Sequence, residues 1–299
     1  MDTILVITSM FFACITLLLF VYGTTHVLHT ISHYQLVKYG EFKRVITETA
    51  MPYFTSLNRF DLYTRNAATP SEYLEKYLNS FVEFTTAQKS ILWDLFRKAD
   101  LHLRKKFPLL HAIPWRVAKI NRDVENGYPH THGDIILLSD TFFQKSKQYQ
   151  VKTLIHEKVH VLQRLYPLWA KRIISQWGFI TYDKDSFDMH NAIPLRNNPD
   201  LSGLYGTEKG IMAQVFASLP PTSLADSFAA IIDNETWEVH YVTHAELGIP
   251  SYVHQLEHPY EIMACMVPEL VFMEKEESAM MQSEKILMNA MLFSVKNAL

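Results

Sequence analysis

The sequence predicts an α+β chain, mainly helical, in which a small mixed sheet and a motif-bearing helix follow an N-terminal transmembrane helix. Three observations predict this class. Apolar residues recur at helical spacing over much of the chain, two short segments between Pro114 and Phe143 have strand character, and residues 4–22 carry no charge. With 299 residues and 48% hydrophobic content, the chain can bury one core or two tightly packed subdomains.

The uncharged run over residues 4–22 is long enough to cross a hydrocarbon core as a helix. A cleaved signal peptide is the rival interpretation, but Asp2 is the only charge before the run and no Ala-x-Ala site follows. We therefore predict an uncleaved single-pass anchor over residues 1–30. Lys38 and Lys43 lie after the span, which favours a cytosolic catalytic domain.

Composition limits the compartment and the partners. Cys14 lies in the apolar run, so Cys265 has no intradomain partner, which fits a reducing compartment. The glycosylation sequon at Asn234 favours the opposite side of the membrane. The net charge of −3 and the lack of a long basic run argue against nucleic acid as a partner. Oligomeric state is left open.

Residues 31–110 are predicted to form a helical region that packs on a catalytic domain over residues 111–299. Thr69 to Glu72 has the pattern of a capping box with proline at the first helical position. The apolar run from Tyr73 to Phe96 predicts a helix that bends or breaks near Thr85.

Downstream, the pattern changes to strands. Residues 115–120 alternate, and residues 133–138 form a short apolar run. Residues 178–221 are rich in Pro, Gly, Asn and Asp and are predicted to be dominated by loops, whereas residues 236–243 alternate like a strand. Helices resume at Pro259, with a break expected at Pro268 before an amphipathic C-terminal helix.

Residues 156–160 spell H-E-x-x-H. On a helix, His156 and His160 share a face and can bind one metal ion, with Glu157 beside them as a base that does not bind the metal. The apolar residues around them repeat at helical spacing: Val151, Ile155, Val159 and Leu162. The alternative is an ordinary amphipathic helix with two surface histidines and a chance glutamate.

A catalytic zinc ion takes three protein ligands and leaves one position for water. In the extended pattern H-E-x-x-H-x-x-G-x-x-H, Gln163 stands in place of the glycine and Tyr166 in place of the third histidine, so a later glutamate is the better candidate. Glu261 follows Pro259 in an apolar helix, where a buried carboxylate needs a cation or a hydrogen-bond donor. The alternative is that Glu261 only adds favourable charge at a helix N-terminus. The fallback ligands are Glu257 and Glu246.

The HEKVH motif with a helical Glu261 about a hundred residues later resembles the gluzincin branch of the zincin metallopeptidases. The resemblance covers roughly residues 110–270. It implies a zincin-like catalytic domain, a Zn²⁺ ion bound by His156, His160 and Glu261, and Glu157 as the general base. It also implies a peptide or protein substrate that pairs along an edge strand, a place that residues 133–138 occupy in the sequence.

Two features of the candidate site are less defined. Many gluzincins have an acidic residue four positions after the third ligand, and this chain has Cys265 there. An oxyanion donor is also needed, and His258 and Tyr260 are the candidates nearest to Glu261 in the sequence. Other aromatic and imidazole groups crowd the same approach: Tyr241, His244, Tyr252 and His254.

Two further groups of residues have open roles. His130 and His132 form H-x-H, which on a strand places both rings on one face. They are candidates for a second metal site, although lining the cleft or facing solvent is the simpler role. Arg196 is a candidate for binding a substrate carboxylate or merely a surface acid.

Three functions are compatible with these patterns. The first is a membrane-anchored zinc peptidase that uses Glu157 as general base. The second is a catalytically degenerate zinc-binding scaffold or interaction domain tethered to a membrane. The third is a membrane-tethered helical protein in which H-E-x-x-H is a coincidence.

Overall fold

The computed structural model describes residues 33–183, 193–273 and 277–293. The strands are β1 (Tyr34–Leu36), β2 (Phe81–Val82), β3 (Trp115–Ile120), β4 (His130–His132), β5 (Ile135–Leu138), β6 (Ile180–Tyr182), β7 (Leu204–Thr207), β8 (Gly210–Phe216), β9 (Ser227–Ile232) and β10 (Val239–Tyr241). The helices are α1 (Tyr39–Thr49), α2 (Met51–Ser56), α3 (Arg59–Thr64), α4 (Pro70–Leu78), α5 (Thr86–Lys106), α6 (Pro108–Ala112), α7 (Asp140–Phe143), α8 (Lys147–Leu165), α9 (Pro167–Gln176), α10 (His244–Leu247), α11 (Pro259–Phe272) and α12 (Gln282–Phe293).

The first sheet is mixed and has the order β1-β3-β5-β4, with β2 also paired to β3. Strands β1, β3 and β5 are parallel, while β4 runs antiparallel to β5. The predicted strands over residues 115–120 and 133–138 are confirmed as β3 and β5. However, β5 lies inside the sheet, so the expectation that it forms the edge is wrong. The edge strand is β4, because the chain reverses at Gly133 and adds a short antiparallel strand.

A second, antiparallel sheet has the order β10-β9-β8-β7-β6. The prediction of a mainly helical chain with one small sheet is therefore wrong, because the structure is about half helical and has two sheets. The segment 178–221, predicted to be dominated by loops, contributes β6, β7 and β8. Two of the glycines in this segment, Gly206 and Gly210, lie in β7 and β8. A side chain on Gly206 would clash with the Gly210 carbonyl across the tight β7–β8 turn.

The helices around residues 69–106 follow the predicted pattern. Thr69 caps α4, and the predicted break is confirmed because α4 ends at Leu78 and α5 begins after Thr85. Thr85 and Gln88 form a capping box. At Pro268 the expected break is absent. Helix α11 continues to Phe272 because it is buried along almost its whole length, and this packing outweighs the local cost of proline, about 3 kcal/mol.

The prediction of a single-pass membrane anchor is not supported. None of the helices within the described ranges is long and apolar enough to cross a membrane. The apolar run over residues 4–22 lies outside the described residues. The predicted side of the membrane, which depended on that anchor, is withdrawn with it.

Helix α8 carries the H-E-x-x-H motif through the centre of the largest core. It packs against α5 and α11 and against the β4 and β5 end of the mixed sheet. The predicted stripe of four apolar residues on α8 is buried, which confirms its orientation: Val151, Ile155, Val159 and Leu162. Because α11 crosses the same face of α8, the first turn of α11 lies beside the motif.

Candidate metal centre

The two motif histidines point from one face of α8 toward α11. Their Nε2 atoms are 3.1 Å apart. The side chain of His156 is 16% exposed and that of His160 is fully buried, so the pair faces a partly open space. The alternative of two surface histidines on an ordinary amphipathic helix does not fit this burial.

Glu261 lies on the first turn of α11, where Pro259 fixes the backbone and His258 caps the helix. Its Oε2 atom is 3.3 Å from His156 Nε2 and 3.4 Å from His160 Nε2. The three residues form one compact group of possible metal ligands, which we call the metal triad.

The dimensions of the metal triad match a tetrahedral zinc site. Zinc bonds of about 2.0–2.1 Å give ligand-to-ligand distances of about 3.3–3.4 Å, and the three distances between the triad atoms are 3.1, 3.3 and 3.4 Å. The Oε2 atom of Glu261 is buried and has no hydrogen-bond partner. Two nitrogens and one oxygen at this spacing leave a fourth tetrahedral position for water.

Gln163 orients His160 for this role. Its amide nitrogen donates to the Tyr260 carbonyl at 3.0 Å, so its Oε1 atom is the acceptor for the His160 Nδ1 proton at 2.9 Å. A proton held on Nδ1 leaves the Nε2 lone pair of the neutral ring free for a cation. Gln163 therefore connects α8 to α11 and favours the His160 tautomer that has its proton on Nδ1.

Asn198 orients Glu261 from a different part of the chain. Its amide nitrogen donates to Glu261 Oε1 at 2.7 Å, which leaves Oε2 directed at the histidines. The neighbouring Asn197 bonds to Asp61 through both its backbone and its side chain. Asp61 in turn pairs with the buried Arg65, so the segment that holds Glu261 is anchored to the N-terminal helices.

His156 has a weaker partner. Its Nδ1 atom lies 3.9 Å from the Cys265 sulfur, which is also 3.9 Å from His254 Nε2. Cys265 therefore offers His156 only a weak acceptor. Burial raises the pKa of the Cys265 thiol well above its usual range, so the group remains a neutral thiol.

Glu157 lies beside the metal triad and is 3% exposed, with Oε2 lacking any hydrogen-bond partner. Burial, followed by the charge of Asp200, raises the pKa of Glu157 well above its usual range. Burial also acts on Glu261, but the imidazoles of His160 and His156 hold its pKa well below that range. Several buried carboxyl groups thus converge on one place, which favours a bound cation.

The metal triad opens into a cleft of about 500 Å³. This volume suits a small ligand or part of a peptide. Lys152 lines the cleft and pairs with Glu269 at 2.7 Å. Arg196 also lines it, but forms no ion pair with any carboxylate in the described ranges, and its Nε atom is buried without a hydrogen-bond partner.

His258 and Tyr260, the predicted oxyanion donors, do not line the cleft. The Nδ1 atom of His258 accepts from the Tyr260 backbone N–H and caps α11. The Tyr260 hydroxyl faces that of Tyr205 at 3.4 Å. Both side chains therefore support the start of α11, and the geometry does not favour a direct catalytic role for either.

Of the other aromatic and imidazole groups predicted near Glu261, His254 lines the cleft, whereas Tyr241, His244 and Tyr252 do not. Burial lowers the pKa of His254, so the ring is neutral at pH 7. Tyr241 is 73% exposed. His244 bonds to the Val253 carbonyl, and Tyr252 donates to Glu284.

The fallback ligands lie outside the metal triad. Glu246 is tied into the capping box of α10 and pairs with Lys209 on the surface. Glu257 is buried near Glu261, and burial together with the charge of Glu261 raises its pKa to about 7. It lines a second cavity rather than the cleft.

His130 and His132 are buried among aromatic rings and do not face solvent. His130 contacts the Tyr77 hydroxyl at 2.5 Å and the Tyr128 carbonyl at 2.8 Å, and it also lines the cleft. Burial lowers the pKa of His132 well below its usual range. These contacts indicate a packing role, and neither ring belongs to a possible metal-binding group within the described ranges.

The outer edge of β4 is already hydrogen-bonded. The backbone N–H of Thr131 donates to Asp200 Oδ1 at 2.7 Å, and its carbonyl accepts from Arg164 at 3.1 Å. A peptide cannot pair with Thr131 unless these contacts open.

A second possible metal-binding group consists of His33, Asp100 and His111. Asp100 already accepts hydrogen bonds from Tyr34 and Trp115, and Lys158 lies 3.8 Å away. This group is therefore less suited to a cation than the metal triad.

The roles of Gln163 and Asn198 were not predicted from the sequence. Gln163 follows His160 by three residues, so its place on the same helix face was a usable signal. Asn198 had no local signal, because its contact with Glu261 joins segments 63 residues apart.

Comparisons of this chain with models of known protein families, with curated proteins and with solved structures found no match.

Proposed function

We propose that this protein is a zinc-dependent peptidase. The observation that carries the proposal is the triangle of His156, His160 and Glu261 ligand atoms, with the buried Glu157 beside it in one cleft. The resemblance to gluzincins at the H-E-x-x-H motif agrees with this proposal. Zinc is the preferred cation because two imidazoles, one carboxylate and an open fourth position form a typical catalytic zinc site.

A zinc ion at this place would activate water and polarise a substrate carbonyl. Glu157 then acts as general base: its carboxylate accepts a proton from the attacking water and passes it to the leaving amine. Gln163 and Asn198 keep His160 and Glu261 in position, and neither needs to touch substrate.

His254 is the best donor for the developing oxyanion. It lines the cleft, unlike His258 and Tyr260, and a ring nitrogen that carries a proton can donate to an oxyanion there. We expect His254→Ala to lower kcat about 10²-fold, within the range found for one oxyanion donor, without loss of zinc. A loss of zinc in that variant would instead give His254 a structural role.

The first experiment measures zinc per chain by mass spectrometry in purified full-length protein. Wild type is expected to hold one zinc ion, and Glu261→Ala to lose most of it. Glu257→Gln and Glu246→Gln are matched controls and should retain the metal. Wild-type protein without stoichiometric zinc would overturn the proposal, and full zinc in Glu261→Ala would reject this third ligand.

The second experiment compares zinc-loaded wild type with Glu157→Gln on a mixture of peptides, with product detection by mass spectrometry. Glu157→Gln is expected to keep zinc and to cleave about 10²–10⁴-fold more slowly. Zinc-loaded wild type that cleaves no peptide would overturn the peptidase and favour a zinc-binding scaffold.

A further inference from the structure

A second cavity of about 310 Å³ adjoins the cleft, and we call it the inner cavity. Arg196, Asn198 and Gln214 line both spaces. Much of the remaining wall is apolar, including Leu201, Leu204, Ile211 and Met212. Because Asn198 also bonds to Glu261, the inner cavity is linked to the metal triad through one side chain.

Three buried polar atoms on the wall of the inner cavity have no hydrogen-bond partner: Arg196 Nε, Gln214 Oε1 and Glu257 Oε1. In folded proteins most buried polar atoms are paired, because an unpaired one costs about 1–3 kcal/mol. Three such atoms around one largely apolar space indicate a place for a ligand with an apolar body and a polar end.

The charges of the wall select the polar end of that ligand. The Arg196 guanidinium cannot lose its proton, and it forms no ion pair within the described ranges. Glu257, in contrast, can become neutral by taking up a proton. Arg196 acts electrostatically on Glu257, but of the two it is the group that keeps its charge in every protonation state, and a carboxylate is the group that best matches a guanidinium.

We infer that the inner cavity binds the carboxyl-terminal residue of a peptide, with the carboxylate against Arg196 and an apolar side chain against the apolar wall. The peptide would extend past Asn198 toward the metal triad, which places cleavage near the carboxyl terminus. This inference rests on the proposed peptidase function, because it concerns where a peptide is cleaved. Binding of the peptide can nevertheless be measured without cleavage.

The test uses zinc-loaded, full-length Glu157→Gln protein, in which hydrolysis is suppressed. Calorimetric titrations compare three peptides of otherwise identical sequence: one ending in leucine with a free carboxylate, one ending in leucine amide and one ending in glycine with a free carboxylate. The free acid ending in leucine is expected to bind about tenfold or more tightly than the amide. It should also bind roughly tenfold or more tightly than the peptide ending in glycine, because the leucine side chain is buried.

Substitutions in the same background locate the effect. Arg196→Gln should reduce the ratio of acid to amide affinity to near one, and Arg196→Lys should leave an intermediate ratio. Lys152→Gln is the matched control, because Lys152 also lines the cleft but already pairs with Glu269, and it should keep the full ratio. Leu204→Trp should fill the inner cavity and weaken binding of the leucine peptide. Circular dichroism and thermal melting establish that each variant is folded.

Equal binding of acid and amide would overturn the inference, as would a preference that persists in folded Arg196→Gln. A preference that follows the free N-terminal amine, tested with an acetylated peptide, would also overturn it and favour Glu257 as the contact. These results are distinct from failure of the proposed function, which would appear as missing zinc or missing cleavage in the wild type.

Discussion

Asn198 donates a hydrogen bond of 2.7 Å to Glu261 Oε1, and so fixes which oxygen of Glu261 faces the two motif histidines. The bond connects the segment after Ile193 to the first turn of α11. The position of Glu261 therefore depends on a loop that the Asp61–Arg65 ion pair anchors through Asn197.

Replacing Asn198 with alanine is expected to weaken zinc binding about 10–100-fold, the usual effect of losing a group that orients a ligand. Glu261 would keep its charge but lose the contact that directs Oε2. Zinc affinity is measured by competition with a chromogenic chelator. Asn79→Ala removes an exposed asparagine at the end of α4 and should leave the affinity unchanged. Equal affinity in Asn198→Ala and wild type would refute the orienting role.

Gln163→Leu should also weaken zinc binding about 10–100-fold, because nothing would then hold the proton on His160 Nδ1. Gln163→Glu keeps an acceptor for that proton and should retain more of the affinity. Gln150→Leu is the matched control, because Gln150 is a buried glutamine on the same helix whose side chain donates to the Phe142 carbonyl, away from the metal triad. It is expected to lose about 1–3 kcal/mol of stability but no zinc affinity. The same competition assay, with chemical denaturation, separates the two effects.

Cys265→Ala is expected to change zinc affinity less than threefold or so, because its sulfur is only a weak partner of His156. The two histidines thus differ: His160 is held by a short hydrogen bond, and His156 mainly by packing. If Cys265→Ala lost as much zinc affinity as Gln163→Leu, the sulfur contact to His156 would matter as much as the amide contact to His160.

Glu125 should contribute strongly to the pH dependence of stability. Burial alone would raise its pKa, but the bidentate pair with Arg65 and the nearby hydroxyls lower it to about 2. The unfolded value is about 4.3, so the folded state gains stability above that pH and loses it as pH falls toward 2. The gain at pH 7 is on the order of 3 kcal/mol.

Glu125→Gln is therefore expected to be less stable than wild type at pH 7, with a difference that shrinks between about pH 4.3 and 2. Urea denaturation measures the free energy of unfolding at each pH, and a chelator in the buffer excludes any contribution from zinc release. Glu48→Gln, which removes one half of an exposed ion pair, should keep the wild-type dependence on pH. A constant difference between Glu125→Gln and wild type across this range would contradict the prediction.

The sequence predicted the parts of the site that depend on local periodicity. Helical spacing placed His156, Glu157 and His160 on α8, and the burial of Val159 and its neighbours followed from the same period. Pro259 correctly indicated the start of α11, which set the position of Glu261 on its first turn. The strands β3 and β5 were also evident from their apolar patterns.

In the second sheet, the strand predicted over residues 236–243 is confirmed as β10, but β6, β7 and β8 were missed because the Pro, Gly, Asn and Asp content of residues 178–221 indicated a loop. The position of β4 at the edge could not be read from periodicity, because strand order is fixed by long-range pairing. His258 and Tyr260 do not line the cleft, for a related reason. Closeness in sequence to Glu261 does not determine which side chains face the cleft.

Local patterns in the sequence thus indicate the motif, its helix and three candidates for the third ligand: Glu261, Glu257 and Glu246. The packing of α11 across α8 brings Glu261, rather than Glu257 or Glu246, next to the two histidines. Packing also brings Asn198 to Glu261 and forms the inner cavity, in both cases where segments far apart in the chain meet. Hydrophobic periodicity specifies the faces of single elements, whereas the geometry of a group of ligands depends on distances between elements, and packing sets those distances.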